Sequence, residues 1–290
     1  MNDKFLGAWL VSEYVYNPDG SFAGIVRQRR ELLGLANGRI RVTQHCQPDA
    51  ALTGHPMAAF TGSPVFELSV DGRYRRYHGP AVVGTGIPWD TGALTGRGLW
   101  PEFGHNFRSF AILPTTNRQL TGGKFFNASE MIANITGVAV PEDQTDEWPT
   151  LGQTYWPSTT QWHGTIRTVS PTGEMVQETS LQRIYNLVHT NHLAWEDSWD
   201  GQTHFVCAMH SVQAHFQVNG QVQKQAEMQG LGKTFGPMLE IEAVVGEGFI
   251  LELIEVLDAE QHIVGMRRWL CDGVLEYVEI LRLQPRNQNL

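Results

Sequence analysis

Apolar and polar residues alternate along most of the chain, in short segments that turn residues separate. The segments Phe5–Tyr16 and Phe22–Leu33, for example, flank the turn Asn17-Pro18-Asp19-Gly20. Alternation with a period of two is typical of β-strands with one buried face. A turn of this composition between two such segments favours a hairpin. The sequence therefore predicts an all-β chain of antiparallel strands.

The same pattern continues to the end of the chain. Asn219-Gly220 lies between two alternating segments and predicts another hairpin. Four strands joined by short polar turns follow between Met238 and Leu283, and the segment Ala128–Ala133 also fits a helix. Each half of the chain contains about eight to ten short strands, as in an up-and-down barrel or a sandwich.

The chain also repeats itself at an offset of 153 residues, the separation of Trp9 and Trp162. Four residues recur without a gap: Trp9, Pro18, Gly20 and Arg30 return as Trp162, Pro171, Gly173 and Arg183. Solenoid and propeller units recur every ~20–50 residues, so this longer repeat indicates a copied domain. We expect one domain over 1–140, a linker rich in Pro, Thr and acidic residues over 141–158, and a second domain over 159–290.

Composition narrows the class of protein. Hydrophobic residues make up 41% of the 290 residues and charged residues 18%, so the chain can bury two cores of ordinary size. The net charge is −9, and strand alternation would split the dense basic cluster Arg27–Arg30 between two faces. Nucleic acids are bound through clustered Lys and Arg, so we expect no nucleic acid partner.

The cysteines and the hydropathy pattern indicate the compartment. Cys46, Cys207 and Cys271 are few and widely spaced, which predicts neither a disulfide framework nor a thiolate zinc site. No apolar stretch approaches the ~20 residues of a membrane helix, and the segment Met1–Phe5 lacks the apolar centre of a signal peptide. We therefore expect a soluble cytoplasmic protein without a membrane span.

Near the N-terminus, Gly7-Ala8-Trp9 resembles the Gly-x-Trp motif of the lipocalin-like (calycin) barrels. The second copy reads Thr160-Gln161-Trp162 and lacks the glycine. The resemblance implies that each tryptophan plugs the floor of a barrel. It also implies that the chain consists of two tandem calycin-like antiparallel barrels, or barrel-like sandwiches, related by the repeat. Barrels of this kind enclose a small hydrophobic ligand.

The third strand of each unit suggests which face looks inward. In the second unit, Trp195, Asp197 and Trp199 lie on the apolar face of this strand, and we expect them to line a pocket. A carboxyl group between two tryptophans is desolvated, which raises its pKa and suits a general acid. The alternative is a structural Asp197 that is bonded to the backbone or to an arginine.

The second strand places an arginine at the same position in both units, Arg30 and Arg183. Together with Tyr185 on the same face, Arg183 is a candidate ligand-binding residue, because an inward guanidinium can hold a carboxylate through two hydrogen bonds. It resembles the inward arginines of fatty-acid-binding barrels. The alternative is an arginine stacked on Trp9 or Trp162 that closes the end of the barrel.

Histidines are concentrated in the second unit. His204 and His210 share the parity of one strand and are candidate acid–base residues. They are six residues apart, too far to chelate one metal along a strand, and no metal-binding motif accompanies them. We therefore expect no metal, and solvated histidines are the alternative to catalytic ones.

The segment 79–104 contains seven glycines together with Trp89 and Trp100. Its length predicts a loop that forms a lid or a binding rim, with the two tryptophans as ligand contacts. Gly84-Thr85-Gly86 is not a dinucleotide fingerprint, and Asp90-Thr91-Gly92 lacks the second carboxylate that an aspartic protease needs. No cofactor motif is present, so we expect no cofactor.

Three hypotheses about function are compatible with these observations. The first is a pocket for a hydrophobic small molecule, with conversion of that molecule by a cofactor-independent isomerisation or cyclisation. The second is a carrier or chaperone for a pigment, a lipid or a prosthetic group. The third is a structural or protein-interaction module that uses strand edges. The sequence leaves the choice of barrel and the oligomeric state open.

Overall fold

A computed structural model describes residues 4–286, except 91, 159, 190, 213–214, 224, 259–261 and the side chain of 187. In this part of the chain nearly all residues lie in β-strands, and short 3-10 helices lie at Ala50–Leu52, Pro56–Ala59 and Glu142–Gln144. The chain divides by its contacts into two compact units, Met1–Leu151 and Gly152–Leu290. No described helix has the length and apolarity needed to span a bilayer.

The first unit is a closed barrel in which each strand pairs antiparallel with the next and the last strand pairs with the first. Its strands are β1 (Gly7–Tyr16), β2 (Phe22–Gly34), β3 (Ile40–Pro48), β4 (Val65–Asp71), β5 (Tyr74–His78), β6 (Val83–Asp90), β7 (Ala93–Trp100), β8 (His105–Thr115), β9 (Arg118–Asn127) and β10 (Glu130–Pro141). Closure gives each of these strands a hydrogen-bonded neighbour on both sides.

The second unit repeats this topology. Its strands are β11 (Gln161–Val169), β12 (Met175–His189), β13 (His192–Trp199), β14 (Gln202–Val212), β15 (His215–Val222), β16 (Ala226–Phe235), β17 (Met238–Val245), β18 (Phe249–Asp258), β19 (His262–Cys271) and β20 (Val274–Pro285). The prediction of an all-β chain with two antiparallel barrels in tandem is therefore confirmed.

The internal repeat is kept in the strand register. Trp9 on β1 lies opposite Arg30 on β2, and Trp162 on β11 lies opposite Arg183 on β12 in the same way. Because strand residues alternate between faces, equal register places each repeated pair on the same side of its barrel wall. Residues of the two barrels can therefore be compared position by position.

The first barrel has a separate apolar cluster toward each end of β1. Near its start, Phe5 and Trp9 pack together, and the Trp9 indole Nε1 donates a hydrogen bond to the Phe5 carbonyl at 3.1 Å. Near its other end, Leu52 and Met57 from the two short helices between β3 and β4 pack with Val15. The interior of the barrel lies between these two clusters.

The predicted glycine-rich loop over 79–104 is wrong, because this segment forms most of β6 and β7. Here the glycines make room for large side chains. A Cβ atom on Gly86 would lie 2.7 Å from the Tyr77 hydroxyl oxygen, and one on Gly98 would lie 2.9 Å from the Phe107 ring. Glycine inside a strand often marks such a close approach.

Two local predictions also differ from the structure. Asn219-Gly220 is no hairpin turn but lies inside β15, where a Cβ on Gly220 would be 2.0 Å from the Val206 carbonyl oxygen. The segment Ala128–Ala133 is not helical: Ala128 adopts a positive φ of 54° in the turn from β9 to β10. In both places strand pairing outweighs the local sequence signal.

Candidate functional site

The first barrel contains an internal cavity of about 180 Å³. Aromatic rings and aliphatic side chains form most of its wall, and a few polar side chains join them. The polar lining residues are Glu13, Gln28, Arg30, Gln44, Arg75, Tyr77, Ser109, Gln119 and Thr121. A mostly apolar cavity with a few convergent polar groups is the usual form of a small-molecule site.

Glu13, Gln28 and Arg30 form a hydrogen-bonded cluster at this cavity. Alternation along β1 and β2 turns all three side chains inward. The Gln28 Nε2 donates to Glu13 Oε2 at 2.5 Å, and the Arg30 Nη2 donates to Glu13 Oε1 at 3.1 Å. The same Nη2 also donates to Gln28 Oε1 at 3.1 Å. The cluster is therefore held by side chains of two neighbouring strands.

Burial raises the pKa of the Glu13 carboxyl, although Arg30 and the hydrogen bond from Gln28 act in the opposite direction. The Glu13 residue is only 8% exposed. A carboxyl group whose charged form is disfavoured can give or take a proton nearer neutral pH than an ordinary glutamate. Burial also raises the pKa of the Tyr77 hydroxyl to about 12, so this group lines the cavity as a neutral phenol.

Several polar groups at the cavity have unused hydrogen-bonding capacity. The Arg30 Nε is buried and has no acceptor, and among the described residues the Arg30 Nη1 has none either. The side-chain amides of Gln44 and Gln119, although buried, make no hydrogen bond within the described part of the chain. Buried polar groups normally have partners, so the unpaired amides at the cavity wall are available to hydrogen-bond a small molecule or water.

Another part of the cavity wall consists of aromatic side chains. Trp100 packs edge-on against Phe60 and Phe66, with ring centroids 5.3 and 5.7 Å apart, and Phe125 lies 5.0 Å from Phe60. Trp100 lines the cavity, whereas Trp89 is not among the lining residues. The Trp89 Nε1 donates to Thr95 Oγ1 at 2.9 Å, and the Arg73 guanidinium lies 5.0 Å from its ring.

In the second barrel the corresponding interior is occupied by an ion-pair network. The Arg183 Nε and Nη2 donate to Asp197 Oδ1 and Oδ2 at 2.6 and 2.9 Å. The Arg183 Nη1 and Nη2 also donate to Glu255 Oε2 and Oε1 at 2.6 and 2.8 Å. All three side chains are fully buried. Every nitrogen of this guanidinium that can donate therefore has a carboxylate acceptor.

Further side chains extend this network. Arg267 donates to Asp197 from β19, and its guanidinium lies 4.0 Å from the Phe205 ring. Tyr155, within the predicted linker, is buried in the second barrel and donates to Glu255 Oε2 at 2.5 Å. The segment that precedes β11 therefore contributes to the core of this barrel.

The expected raised pKa of Asp197 is wrong. Burial alone would raise the pKa, but Arg183 and Arg267 outweigh it, so the pKa of the Asp197 carboxyl is lowered. The inward orientation of Asp197 and Trp195 is as predicted, and both are fully buried. A carboxylate held by two guanidinium groups is poorly suited to act as a general acid.

Comparison of equivalent positions explains why the cavity lies in the first barrel. Leu32 and Val42 line the cavity, and their repeat partners are the larger Tyr185 and Trp195. Both of these side chains are packed in the second core beside Arg183, whose guanidinium lies 5.8 and 5.2 Å from their rings. The structure thus brings together Arg183, Tyr185 and Trp195, which were predicted to contact a ligand. Arg183 instead belongs to the ion-pair network, and the two rings pack beside it.

The remaining predicted residues do not join Asp197. Trp199 stacks on His204, with ring centroids 3.9 Å apart and an angle of 5° between the planes. His204 is the extra residue of a β-bulge, since Asp197 pairs with Phe205 and the next residue with Thr203. His210 is exposed and lies opposite His192, with their rings 3.8 Å apart.

Sequence reasoning missed Glu13, the inward carboxyl group of the first barrel. Its signal was available, because Glu13 interrupts the apolar inward series Trp9, Val11 and Val15 of β1. It also missed Glu255 and Arg267, whose strands are far from Asp197 in sequence. Among the described residues no group of His, Cys, Asp and Glu side chains is arranged to hold a metal ion.

No protein-family model and no curated protein matches this sequence. A solved structure of a DUF3598 family protein of unknown function from Nostoc punctiforme is similar over 98% of this chain and 97% of its own, with a TM-score of 0.62 and 15% identity. Kievitone hydratase from Nectria haematococca aligns over 99% and 91% of the two chains with 9% identity and a TM-score of only 0.18, which supports no argument. The first similarity shows the fold alone.

Proposed function

We propose that the protein binds a small molecule with an apolar body and one polar end in the cavity of its first barrel. The observation that supports this is a cavity of about 180 Å³ whose aromatic wall is combined with polar side chains, Arg30, Gln44 and Gln119, that have unused hydrogen-bonding capacity among the described residues. A ligand would bury its apolar part against Trp100 and Phe107 and satisfy Arg30 and Gln44 with its polar end. The lipocalin-like resemblance of Gly7-Ala8-Trp9 agrees with such a role.

The volume limits the size of this ligand. Pockets for drug-sized molecules measure ~300–1,000 Å³, and an apolar cavity of about 150 Å³ takes a benzene-sized molecule. The proposed ligand is therefore a single ring or a short chain. Larger pigments and prosthetic groups fit this cavity less well, which makes a carrier of such molecules the weaker alternative.

Binding can be measured by calorimetric titration with octanoate and octanamide, two apolar probes with different polar ends. We expect wild-type protein to bind at least one of them with one site per chain. Val42→Trp introduces the side chain that the second barrel has at this position and fills the cavity, so it is expected to abolish binding. Val42→Ile adds one methylene group and is the matched control that keeps binding.

Leu32→Tyr, the other change toward the second barrel, serves as a second cavity-filling variant if Val42→Trp does not fold. The fold of each variant is checked by circular dichroism. Wild-type protein that binds neither probe would contradict the proposal. Binding that is unchanged in a folded cavity-filling variant would place the site elsewhere and contradict it as well.

A second candidate function is conversion of the bound molecule without a cofactor, by isomerisation or cyclisation. It is favoured by Glu13, a carboxyl group of raised pKa at the wall of the cavity. In an isomerisation, the Glu13 carboxylate would take a proton from one carbon of the ligand and return it to another. The double bond would move between them, and no electrons would enter or leave.

Glu13→Gln separates conversion from transport. The variant keeps the size of the side chain and removes the proton-transfer group. We expect the wild-type protein purified from its own source to carry product and the variant to carry the unreacted isomer, which chromatography of the released ligand distinguishes. The same molecule on both proteins would support the carrier hypothesis, and a protein that binds partners without any small molecule would support the interaction module.

A further inference from the structure

We propose that the ligand of the first barrel is a small carboxylate, held by Arg30 in the place that Asp197 occupies against Arg183. This inference rests on the proposed function and names the chemical class of its ligand. It follows from a comparison of the two arginines, which lie at equivalent positions of the repeat in the same register. The second barrel thus supplies an internal template for the first.

The template shows which acceptor this arginine position takes. Arg183 is opposite Asp197 on the neighbouring strand, and its Nε and Nη2 bind both oxygens of that carboxylate. A guanidinium that presents two parallel N–H groups matches the geometry of a carboxylate. In the second barrel the carboxylate of Asp197 therefore occupies the position beside the arginine.

The first barrel has the arginine without that carboxylate. Arg30 is opposite Gln44, which is neutral and lines the cavity. The Arg30 Nη2 is engaged by Glu13 and Gln28, while its buried Nε has no acceptor. Of the two nitrogens that Asp197 binds in the second barrel, only the Nε thus lacks an acceptor among the described residues of the first.

The surroundings agree with an anionic head group. The cavity next to Arg30 is lined also by Arg75 and by the side-chain amides of Gln44 and Gln119, which can donate hydrogen bonds. Low polarity of the aromatic wall strengthens the interaction between a guanidinium and a carboxylate. Among the described residues Arg30 has one acidic partner, Glu13, whereas Arg183 has two, Asp197 and Glu255.

The test uses octanoate and the isosteric neutral octanamide as probes, with two variants at one position. Gln44→Asp introduces the carboxylate of the template, and Gln44→Asn has the same size without the charge. We expect wild-type protein to bind octanoate about tenfold or more tightly than octanamide, as for a hydrogen-bonded charge pair. Gln44→Asn shortens a side chain of the site and is expected to lower both affinities while the preference for octanoate remains. We expect Gln44→Asp to lose that preference, because its own carboxylate occupies Arg30.

Arg30→Gln gives an independent measurement if Gln44→Asp does not fold, and it is expected to weaken octanoate binding while octanamide binding changes little. Equal affinity of wild-type protein for octanoate and octanamide would overturn the carboxylate assignment and leave ligand binding in the first barrel intact. An unchanged octanoate preference in folded Gln44→Asp would overturn it too. Failure to bind either probe would instead contradict the proposed function.

Discussion

Asp197→Asn removes one buried negative charge from the second barrel without changing the size of the side chain. Asp197 accepts two hydrogen bonds from Arg183, at 2.6 and 2.9 Å, and one from Arg267, and all three side chains are fully buried or nearly so. The asparagine amide group would place N–H donors against guanidinium donors. Two arginines would then share Glu255 and Glu279 as their remaining acidic partners.

The expected magnitude follows from the cost of leaving a buried charge without its partner, about 3–5 kcal/mol of unfolding free energy. The exposed change Glu242→Gln on the outer face of β17 is the control, with an expected effect within about 0.5 kcal/mol. Hydrogen exchange followed by mass spectrometry in increasing urea reports the stability of each barrel separately. The loss should appear in the second barrel.

The pH dependence provides a further check on the same variant. The pKa of Asp197 is lowered in the folded protein, since Arg183 and Arg267 outweigh burial. Its contribution to stability is therefore complete above the ordinary aspartate pKa and is lost as the pH falls through the folded value. The difference between wild type and Asp197→Asn should shrink in acid. A loss below about 1 kcal/mol at neutral pH would refute the account of this network.

Three other changes test separate parts of the structure. Trp162→Ala should destabilise the second barrel by about 3–5 kcal/mol, because it empties a buried aromatic site; an effect below about 1 kcal/mol would contradict the role as a plug. The pKa of Glu13 is raised by burial, so wild-type stability relative to Glu13→Gln should fall as the pH rises from the ordinary glutamate pKa to the folded value, and a rise would contradict it. A fragment that begins at Gly152 should fold alone. One that begins at Ser158 lacks Tyr155, whose hydroxyl donates to Glu255, and should therefore unfold at a lower temperature. Equal thermal stability of the two fragments would show that this hydrogen bond contributes little.

The fold was predictable because its signals are local. Alternation in Phe5–Tyr16 and a Pro-Asp-Gly turn are enough to place the hairpin of β1 and β2, and the repeat identifies the second copy. The inward face of β13 was predictable for the same reason. Gly220 was misleading because a contact with another strand, which no local pattern records, determines its role.

The state of Asp197 was not predictable from local sequence, since its partner Arg267 is 70 residues away. A carboxyl group between tryptophans is expected to be protonated. Only the closed barrel, in which Arg183 on β12 and Arg267 on β19 both reach Asp197, shows that two guanidinium groups hold it. The location of the cavity depends likewise on volume, because Val42 and Trp195 occupy equivalent positions and both read as apolar. Tyr185 and Trp195 fill the core of the second barrel, whereas the smaller Leu32 and Val42 line the cavity of the first.

The central claim is that the first barrel holds a ligand whose carboxylate lies on Arg30. A crystal structure of the protein with omega-bromooctanoate tests it most directly, since anomalous scattering locates the bromine independently of the protein phases. The account predicts a bromine in the first barrel beside the aromatic wall of Phe60 and Trp100, with the carboxylate against the Arg30 guanidinium. A bromine in the second barrel, or in the first with its carboxylate away from Arg30, would contradict it.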